Sequence, residues 1–208
     1  SGTKIIATSG EALPPKVVRE TQEKFGDVLY NLYGSTEVSW ASIATPEDLR
    51  KHINTAGKPP MATTLKVLDD NGKELPNGEI GRIFVKNDML FEGYTRPGSD
   101  KEIIDGMVAT GDLGYYNDEG LLFISGRSDD MIVSGGENVF PQETEDVINS
   151  MDCVAESAVR GVDDPEFGQA LCAWVVPEGK SAAELTDEEK AEFEEKAKTE
   201  VKAHLARH

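Results

Sequence analysis

Several common features are missing from this chain, and each absence excludes a class of protein. The 208 residues include only two cysteines and three histidines, and their spacing matches no metal-ligand pattern. No apolar run approaches the roughly 18 residues of a membrane-spanning helix, and the first residues do not form a signal peptide. We therefore expect a cytoplasmic protein without a transmembrane segment, in which Cys153 and Cys172 are reduced.

Positive charge is also scarce. The chain carries 21 Lys and Arg against 39 Asp and Glu, a formal net charge of -18 at pH 7. A field of that sign repels nucleic acid and anionic membrane surfaces, so we exclude both as partners. Much of the acid lies in residues 184–200, where it favours solubility.

The first third of the chain predicts an α/β unit. Residues 4–8 form a short apolar run that ends in Ser9-Gly10, which is typical of a buried strand and a tight loop. A helix is predicted at 14–25 and a second strand at 28–32, which leads into residues 33–35. Because ligands usually bind at the carboxyl ends of strands in such sheets, both loops are candidate binding loops.

The remaining elements predict a β-rich region and then a separate α+β unit. A strong hairpin turn at residues 70–72 and a second one at 117–120 indicate β-structure. The predicted strands of this region are 64–68, 80–85, 113–116 and 121–125. The pattern after Arg127 predicts a strand at 131–133, a helix at 141–151, strands at 154–162 and 169–176, and a last helix with a Thr186/Glu189 capping box.

One passage, residues 110–145, carries the most chemical information. It places Asp112 and Arg127 fifteen residues apart across a predicted hairpin, followed by Gly135-Gly136. An acceptor-only carboxylate suits a sugar diol, and a planar donor fork suits ribose or phosphate oxygens. Glycines allow a ligand to approach the backbone. The passage therefore predicts part of a nucleotide site next to a joint between domains.

Four motifs in order carry a resemblance to a known family. They are Ser9-Gly10-Glu11-Ala12, Tyr33-Gly34-Ser35-Thr36-Glu37, Thr110-Gly111-Asp112 and Gly126-Arg127-Ser128-Asp129-Asp130. With them the chain resembles the acyl-CoA synthetases (fatty-acid–CoA ligase type) of the adenylate-forming superfamily, which also holds luciferases and peptide-synthetase adenylation domains. Each motif is weak alone, but all four at fitting spacing cover essentially the whole chain.

The resemblance implies an enzyme that uses ATP and Mg²⁺ to convert a carboxylic acid, a fatty acid in our prediction, into an acyl-adenylate and then transfers the acyl group to coenzyme A. It implies that residues 9–11 border the adenine and that Tyr33 offers a stacking face. The implied nucleotide-binding residues are Ser9, Gly10, Glu11, Asn31, Leu32, Tyr33, Gly34, Thr36, Asp112, Ile124 and Arg127.

The resemblance also assigns individual roles. Thr36 and Glu37 would be catalytic, Thr36 as a donor to the α-phosphate and Glu37 as the ligand of Mg²⁺. Asp112 would grip both ribose hydroxyls, Arg127 would contact ribose and phosphate, and Ile124 would pack near the base.

A hinge and a coenzyme A loop are implied further along. Asp129 matches the hinge about which a small mobile domain rotates between the two half-reactions. Ser134, Gly135 and Gly136 match the loop that approaches coenzyme A. Trp40 is expected either to border the acyl pocket or to pack in the core.

The family's lysine-containing phosphate loop and its lysine in a Pro-x-x-x-Gly-Lys segment are not found in these residues. We therefore expect a fragment truncated at both ends: residues 1–128 would be the end of a large domain, and 129–208 an incomplete small domain. We expect the fragment itself to be inactive. The alternatives are an acyl-AMP ligase or adenylation domain that loads a carrier protein, and a non-catalytic scaffold.

Overall fold

The computed structural model describes residues 2–95, 101–151, 153–179 and 186–205. The chain divides into two units, Ser1–Asp129 and Asp130–His208. Both units mix helices and strands, which confirms the predicted fold class of α/β followed by α+β. No helix among the described residues is long and apolar enough to cross a membrane.

The first unit begins with a three-stranded sheet and two helices. The order is β1-β2-β3, in which β1 runs parallel to β2 and β3 antiparallel to it. The parallel pair needs a crossover, which α1 supplies after two prolines that favour a helix start. The elements are β1 (Ile6–Ser9), α1 (Pro15–Phe25), β2 (Leu29–Ser35), β3 (Ser39–Ala44) and α2 (Pro46–Lys51).

A five-stranded antiparallel sheet completes the first unit. Its path is β4-β5-β7-β6, and β8 pairs with β7. A core cluster joins the two sheets, with Ala41 of β3 and the adjacent turn residue Val38 on one side and Ile83 and Leu122 of the second sheet on the other. The strands are β4 (Thr64–Leu68), β5 (Gly81–Lys86), β6 (Ile103–Ile104), β7 (Met107–Tyr116) and β8 (Leu122–Arg127).

The second unit has its own core, which includes Ile132, Ile148 and Val159. The carboxylate of Glu145 accepts a hydrogen bond of 2.6 Å from the backbone N–H of Val159 and so ties a helix to a strand. The elements are β9 (Ile132–Ser134), β10 (Glu137–Val139), α3 (Pro141–Asn149), β11 (Val154–Asp164), β12 (Gly168–Pro177) and α4 (Asp187–Leu205).

The structure differs from the predicted elements in several places. Strands β3, β6 and β10 and helix α2 were not predicted, because each is short and its pattern gives little periodicity. Helix α2 did carry a signal, since Thr45 and Asp48 form a capping box and Pro46 follows at the first helical position. Strand β7 begins at Met107, six residues before the predicted start, because its first half pairs with β5 and β6.

Candidate functional site

Asp112 and Arg127 are directly opposite each other in the β7–β8 ladder. Arg127 Nη1 donates to Asp112 Oδ1 at 3.2 Å. The Asp112 side chain is only 15% exposed, whereas that of Arg127 is 46% exposed, so the guanidinium keeps donors that face solvent. A register shift between Leu113 and Gly114 follows the pair, and such bulges often lie beside active sites.

Tyr33 brings the first sheet to the same carboxylate. Its hydroxyl donates to Asp112 Oδ2 at 2.6 Å. Burial, reinforced by the negative charge of Asp112, raises the pKa of Tyr33 well above its usual value, so the hydroxyl stays a neutral donor. Each carboxylate oxygen thus has one protein donor. Since a carboxylate offers about four acceptor positions, about two remain for a diol, which fits ribose.

Thr110 and Gly111 hold Asp112 in place. The buried Thr110 hydroxyl donates to the Ile83 carbonyl oxygen at 3.1 Å and accepts from the Asp112 N–H at 3.1 Å. Gly111 has φ +87°, and a Cβ there would lie 3.1 Å from Arg127 Nη2. Glycine therefore suits this position, because the backbone conformation strains any other residue and a Cβ would displace the guanidinium slightly.

Thr36 and Glu37 occupy the tight turn between β2 and β3. The next strand opens at Ser39, which has φ +56°. A Cβ at Gly34 would lie 1.8 Å from the Ser39 carbonyl oxygen, so the two strands meet too closely there for any side chain. A non-glycine residue in the left-handed region costs roughly 1–3 kcal/mol and is common at functional turns.

Tyr94 and Lys101 both lie close to the Glu37 carboxylate. The Tyr94 hydroxyl donates to Oε1, and Lys101 Nζ lies 3.9 Å from the same oxygen. Burial alone would raise the pKa of Glu37, but hydrogen bonds from the Ser35 and Tyr94 side chains and from the backbone outweigh it, so the pKa is lowered. The group is therefore a stable anion and a suitable ligand for a hard cation.

Sequence reasoning assigned no role to Lys101 or Tyr94. Both lie far from Glu37 in sequence, and no local pattern marks them. Among the described residues, no group of three or more His, Cys, Asp or Glu side chains could hold a metal ion. A lone carboxylate still fits Mg²⁺, which usually binds one or two carboxylates together with phosphate oxygens and water.

The predicted adenine loop lies beside strand β2. Ser9 pairs with Leu32 across the parallel β1–β2 ladder. Residues Thr8–Pro14 line a shallow cavity of about 430 Å³. Asn31 lies two residues before Tyr33 and so on the same face of β2, and its amide donates to the Thr55 carbonyl oxygen at 3.5 Å.

Ile124 and Trp40, two apolar side chains of the predicted site, differ in their surroundings. Ile124 is partly buried and packs against the same core cluster as Tyr33. The Trp40 side chain is 55% exposed. It lies outside the core clusters of the described residues.

The predicted hinge residue Asp129 lies in a short 3-10 turn, Ser128–Asp130, that spans the limit between the two units. Its carboxylate is 3.9 Å from Arg127 Nη2 and 85% exposed. The Ser128 hydroxyl donates to the Gly111 carbonyl oxygen at 3.0 Å. The strand end that carries Arg127 therefore continues directly into the turn.

Within the second unit, the predicted coenzyme A loop is the hairpin turn between β9 and β10. Ser134 pairs with Glu137, which leaves Gly135 and Gly136 as the two turn residues, with φ +59° and +88°. Turns with positive φ at both positions strongly favour glycine. The Gly135 N–H donates to the Phe167 carbonyl oxygen at 2.9 Å.

Comparison with known protein families gives two matches. The model described as "AMP-binding enzyme" matches residues 1–95. The model described as "AMP-binding enzyme C-terminal domain" matches residues 143–208.

Among curated relatives, the chain is 36% identical over 196 residues to a putative acyl–CoA ligase, YdaB, of Bacillus subtilis, covering 93% of this chain and 38% of the relative. It is 34% identical over 180 residues to sulfoacetate–CoA ligase of Cupriavidus necator, covering 85% of this chain and 35% of the relative. It is 36% identical over 194 residues to 2-succinylbenzoate–CoA ligase of Bacillus licheniformis, covering 91% of this chain and 39% of the relative. The chain thus spans less than two fifths of the length of these relatives.

Two solved structures are also similar to this chain. A variant of the amide bond synthetase McbA from Marinactinospora thermotolerans superimposes with a TM-score of 0.84 at 30% identity, covering 97% of this chain and 40% of that one. The o-succinylbenzoate CoA synthetase MenE from Bacillus subtilis, in complex with its acyl-adenylate intermediate, superimposes with a TM-score of 0.81 at 31% identity. The match covers 93% of this chain and 39% of that one.

Proposed function

The chain belongs to the AMP-binding enzyme family, and from this premise we propose that it carries the nucleotide site of an ATP-dependent acid–thiol ligase. Such an enzyme activates a carboxylic acid as acyl-adenylate and transfers the acyl group to coenzyme A. In this proposal, residues 1–128 belong to the large domain and 129–208 to the small, mobile domain, with Asp129 as the hinge.

The convergence of Tyr33, Asp112 and Arg127 carries the proposal. Two donor side chains, one from each sheet, meet on the Asp112 carboxylate, which keeps acceptor capacity for a diol. Asp112 would bind both ribose hydroxyls, and the half-exposed Arg127 would add a donor to ribose or phosphate. The loop at Ser9, Gly10 and Glu11, together with Asn31 and Leu32, would border the adenine.

The turn that carries Thr36 and Glu37 would receive the phosphates. The Thr36 hydroxyl would donate to the α-phosphate, and the Glu37 carboxylate would hold Mg²⁺. When bound, Mg²⁺ would supply Lewis-acid stabilisation of the charge that develops on the phosphate oxygens. Because the pKa of Glu37 is lowered, its carboxylate is already ionised at neutral pH, so Mg²⁺ could bind without first displacing a proton.

Coenzyme A is the acyl acceptor that we propose, with the turn at Ser134, Gly135 and Gly136 close to its pantetheine arm. The glycine pair leaves no side chain on the turn to obstruct a thiol ester, and the named ligases among the relatives support this choice. An amine is the second candidate acceptor, because the chain is similar to an amide bond synthetase. Loading of a carrier protein remains a weaker alternative.

The acid that the enzyme activates is proposed to carry an apolar acyl group. We predicted a fatty acid, whereas the relatives named above act on sulfoacetate and 2-succinylbenzoate. The exposed Trp40, which follows the Glu37 turn, would favour an apolar acyl group. A panel of fatty, aromatic and sulfonated acids, assayed for AMP release by the product of the natural gene with coenzyme A or an amine, would identify both acid and acceptor.

The nucleotide site can be tested on this chain by calorimetry. We expect AMP to bind, and 2′-deoxy-AMP to bind about tenfold more weakly or worse, because one charge-assisted hydrogen bond to Asp112 is lost. The Asp112→Asn variant should bind AMP more weakly and should discriminate less between the two ligands. Equal affinity of the wild type for both ligands would contradict the role of Asp112.

A further inference from the structure

Lys101 contacts both halves of the proposed site. Its Nζ lies 3.9 Å from Glu37 Oε1 and donates to the Thr110 carbonyl oxygen at 3.3 Å. Arg127 Nη1 donates to the same carbonyl oxygen, also at 3.3 Å. One ammonium group therefore links the turn that carries Glu37 to the strand that carries the ribose-binding pair.

The contacts of Glu37 are asymmetric. The Tyr94 hydroxyl and the Lys101 ammonium both approach Oε1. A hydrogen bond and an ion pair on the same oxygen favour one orientation of the carboxylate. The Glu37 and Lys101 side chains are 16% and 23% exposed, so water screens this pair less than it would a surface ion pair.

We propose that Lys101 is a positioning residue for Glu37. It attracts Oε1 and so orients the carboxylate for Mg²⁺, and its hydrogen bond to the Thr110 carbonyl links that carboxylate to the Asp112–Arg127 pair. The inference rests on the proposed function, since it assumes that the site binds a Mg²⁺ nucleotide. A purely structural ion pair would influence the stability of the fold but not the dependence of nucleotide binding on metal.

The test is the Mg²⁺ enhancement of ATP affinity, defined as the ratio of the Kd in EDTA to the Kd in Mg²⁺, both from calorimetry on the 208-residue chain. The Lys101→Met variant removes the ammonium but keeps much of the side chain. We expect its enhancement to fall about tenfold, the size of a lost contact to a metal ligand. Lys101→Arg should restore part of it. Lys73→Met, an equal charge change at an exposed residue of the β4–β5 hairpin, should keep the wild-type ratio.

A double-mutant cycle separates positioning from general charge attraction. In the Glu37→Gln background, Lys101→Met should leave the enhancement unchanged, because Lys101 acts through Glu37. The inference is overturned if Lys101→Met alone keeps the wild-type enhancement, or if it lowers the enhancement equally in both backgrounds. Should Lys101→Met fail to fold by circular dichroism, Tyr94→Phe removes the hydrogen-bond donor to the same oxygen, Oε1, and must lower the enhancement in the same way.

Two results for the wild type distinguish this inference from the proposal on which it rests. If the wild type binds neither AMP nor ATP, the proposed function fails, and the inference fails with it. If it binds AMP but shows no Mg²⁺ enhancement with ATP, the metal role of Glu37 and the inference fail, while the ribose site stands.

Discussion

Replacing Tyr33 with phenylalanine removes one hydroxyl from the centre of the proposed site. The lost hydrogen bond to Asp112 Oδ2 is short, 2.6 Å, and its acceptor is charged, a class of bond that contributes roughly 1.5–3 kcal/mol. Asp112 keeps its contact with Arg127 and is 15% exposed, so water can replace part of the loss. We therefore expect Tyr33→Phe to destabilise the first unit by about 1–2 kcal/mol.

The pH dependence gives a second expected result with a defined sign. Because the folded-state pKa of Tyr33 is raised, its contribution to stability is fully present below the pKa of an unfolded tyrosine, about 10. The contribution is lost as pH rises above that value towards the folded-state pKa. The difference in stability between wild type and Tyr33→Phe should therefore narrow above about pH 10. The other tyrosines are present in both proteins, so the effect of their titration cancels in the difference.

Urea unfolding provides the assay. In a Trp174→Phe background, Trp40 reports on the first unit alone, and the expected loss moves the midpoint down by about 0.5–1 M. Tyr30→Phe is the matched control, since its hydroxyl takes part in no recorded hydrogen bond among the described residues. Equal midpoints for Tyr33→Phe and Tyr30→Phe, or a difference that widens above pH 10, would refute the reasoning.

Three further predictions concern the same site. Gly111→Ala should weaken AMP binding by about tenfold in calorimetry, because its Cβ would lie 3.1 Å from Arg127 in a strained left-handed conformation; unchanged affinity would contradict the required close approach. Thr110→Val should lower the free energy of unfolding by about 1–3 kcal/mol, since the Ile83 carbonyl and the Asp112 N–H both lose a buried partner; Thr64→Val, at an exposed position of strand β4, is the control. The 208-residue chain should show no more ATP–pyrophosphate exchange than its Asp112→Asn variant, and brisk exchange would overturn the prediction that it is inactive by itself.

Parts of this site could be predicted because local rules determine them. The turn at residues 117–120 predicts a hairpin that brings Asp112 close to Arg127, and a register shift between Leu113 and Gly114, which the turn does not determine, places the two residues directly opposite each other. Gly135-Gly136 likewise reads as a turn whose backbone demands glycine. Gly111 is a residue type that adopts the left-handed conformation readily. Its closeness to the Arg127 guanidinium, however, depends on the pairing of β7 with β8.

The remaining contacts depend on how the two sheets pack, which no local pattern encodes. Tyr33 was expected to offer a stacking face, and its hydroxyl bond to Asp112 spans 79 residues. Lys101 and Tyr94 reach Glu37 from a connecting segment without regular periodicity. Strand β3 was missed for a similar reason, since its mixture of small and apolar residues makes sense only beside β2.

The central claim is that Asp112 binds the two hydroxyls of a ribose, and a crystal structure of this chain with AMP tests it most directly. We predict that the 2′ and 3′ oxygens lie within hydrogen-bond distance of the Asp112 carboxylate, with Arg127 beside the sugar. A nucleotide bound with its ribose away from Asp112 would contradict the account.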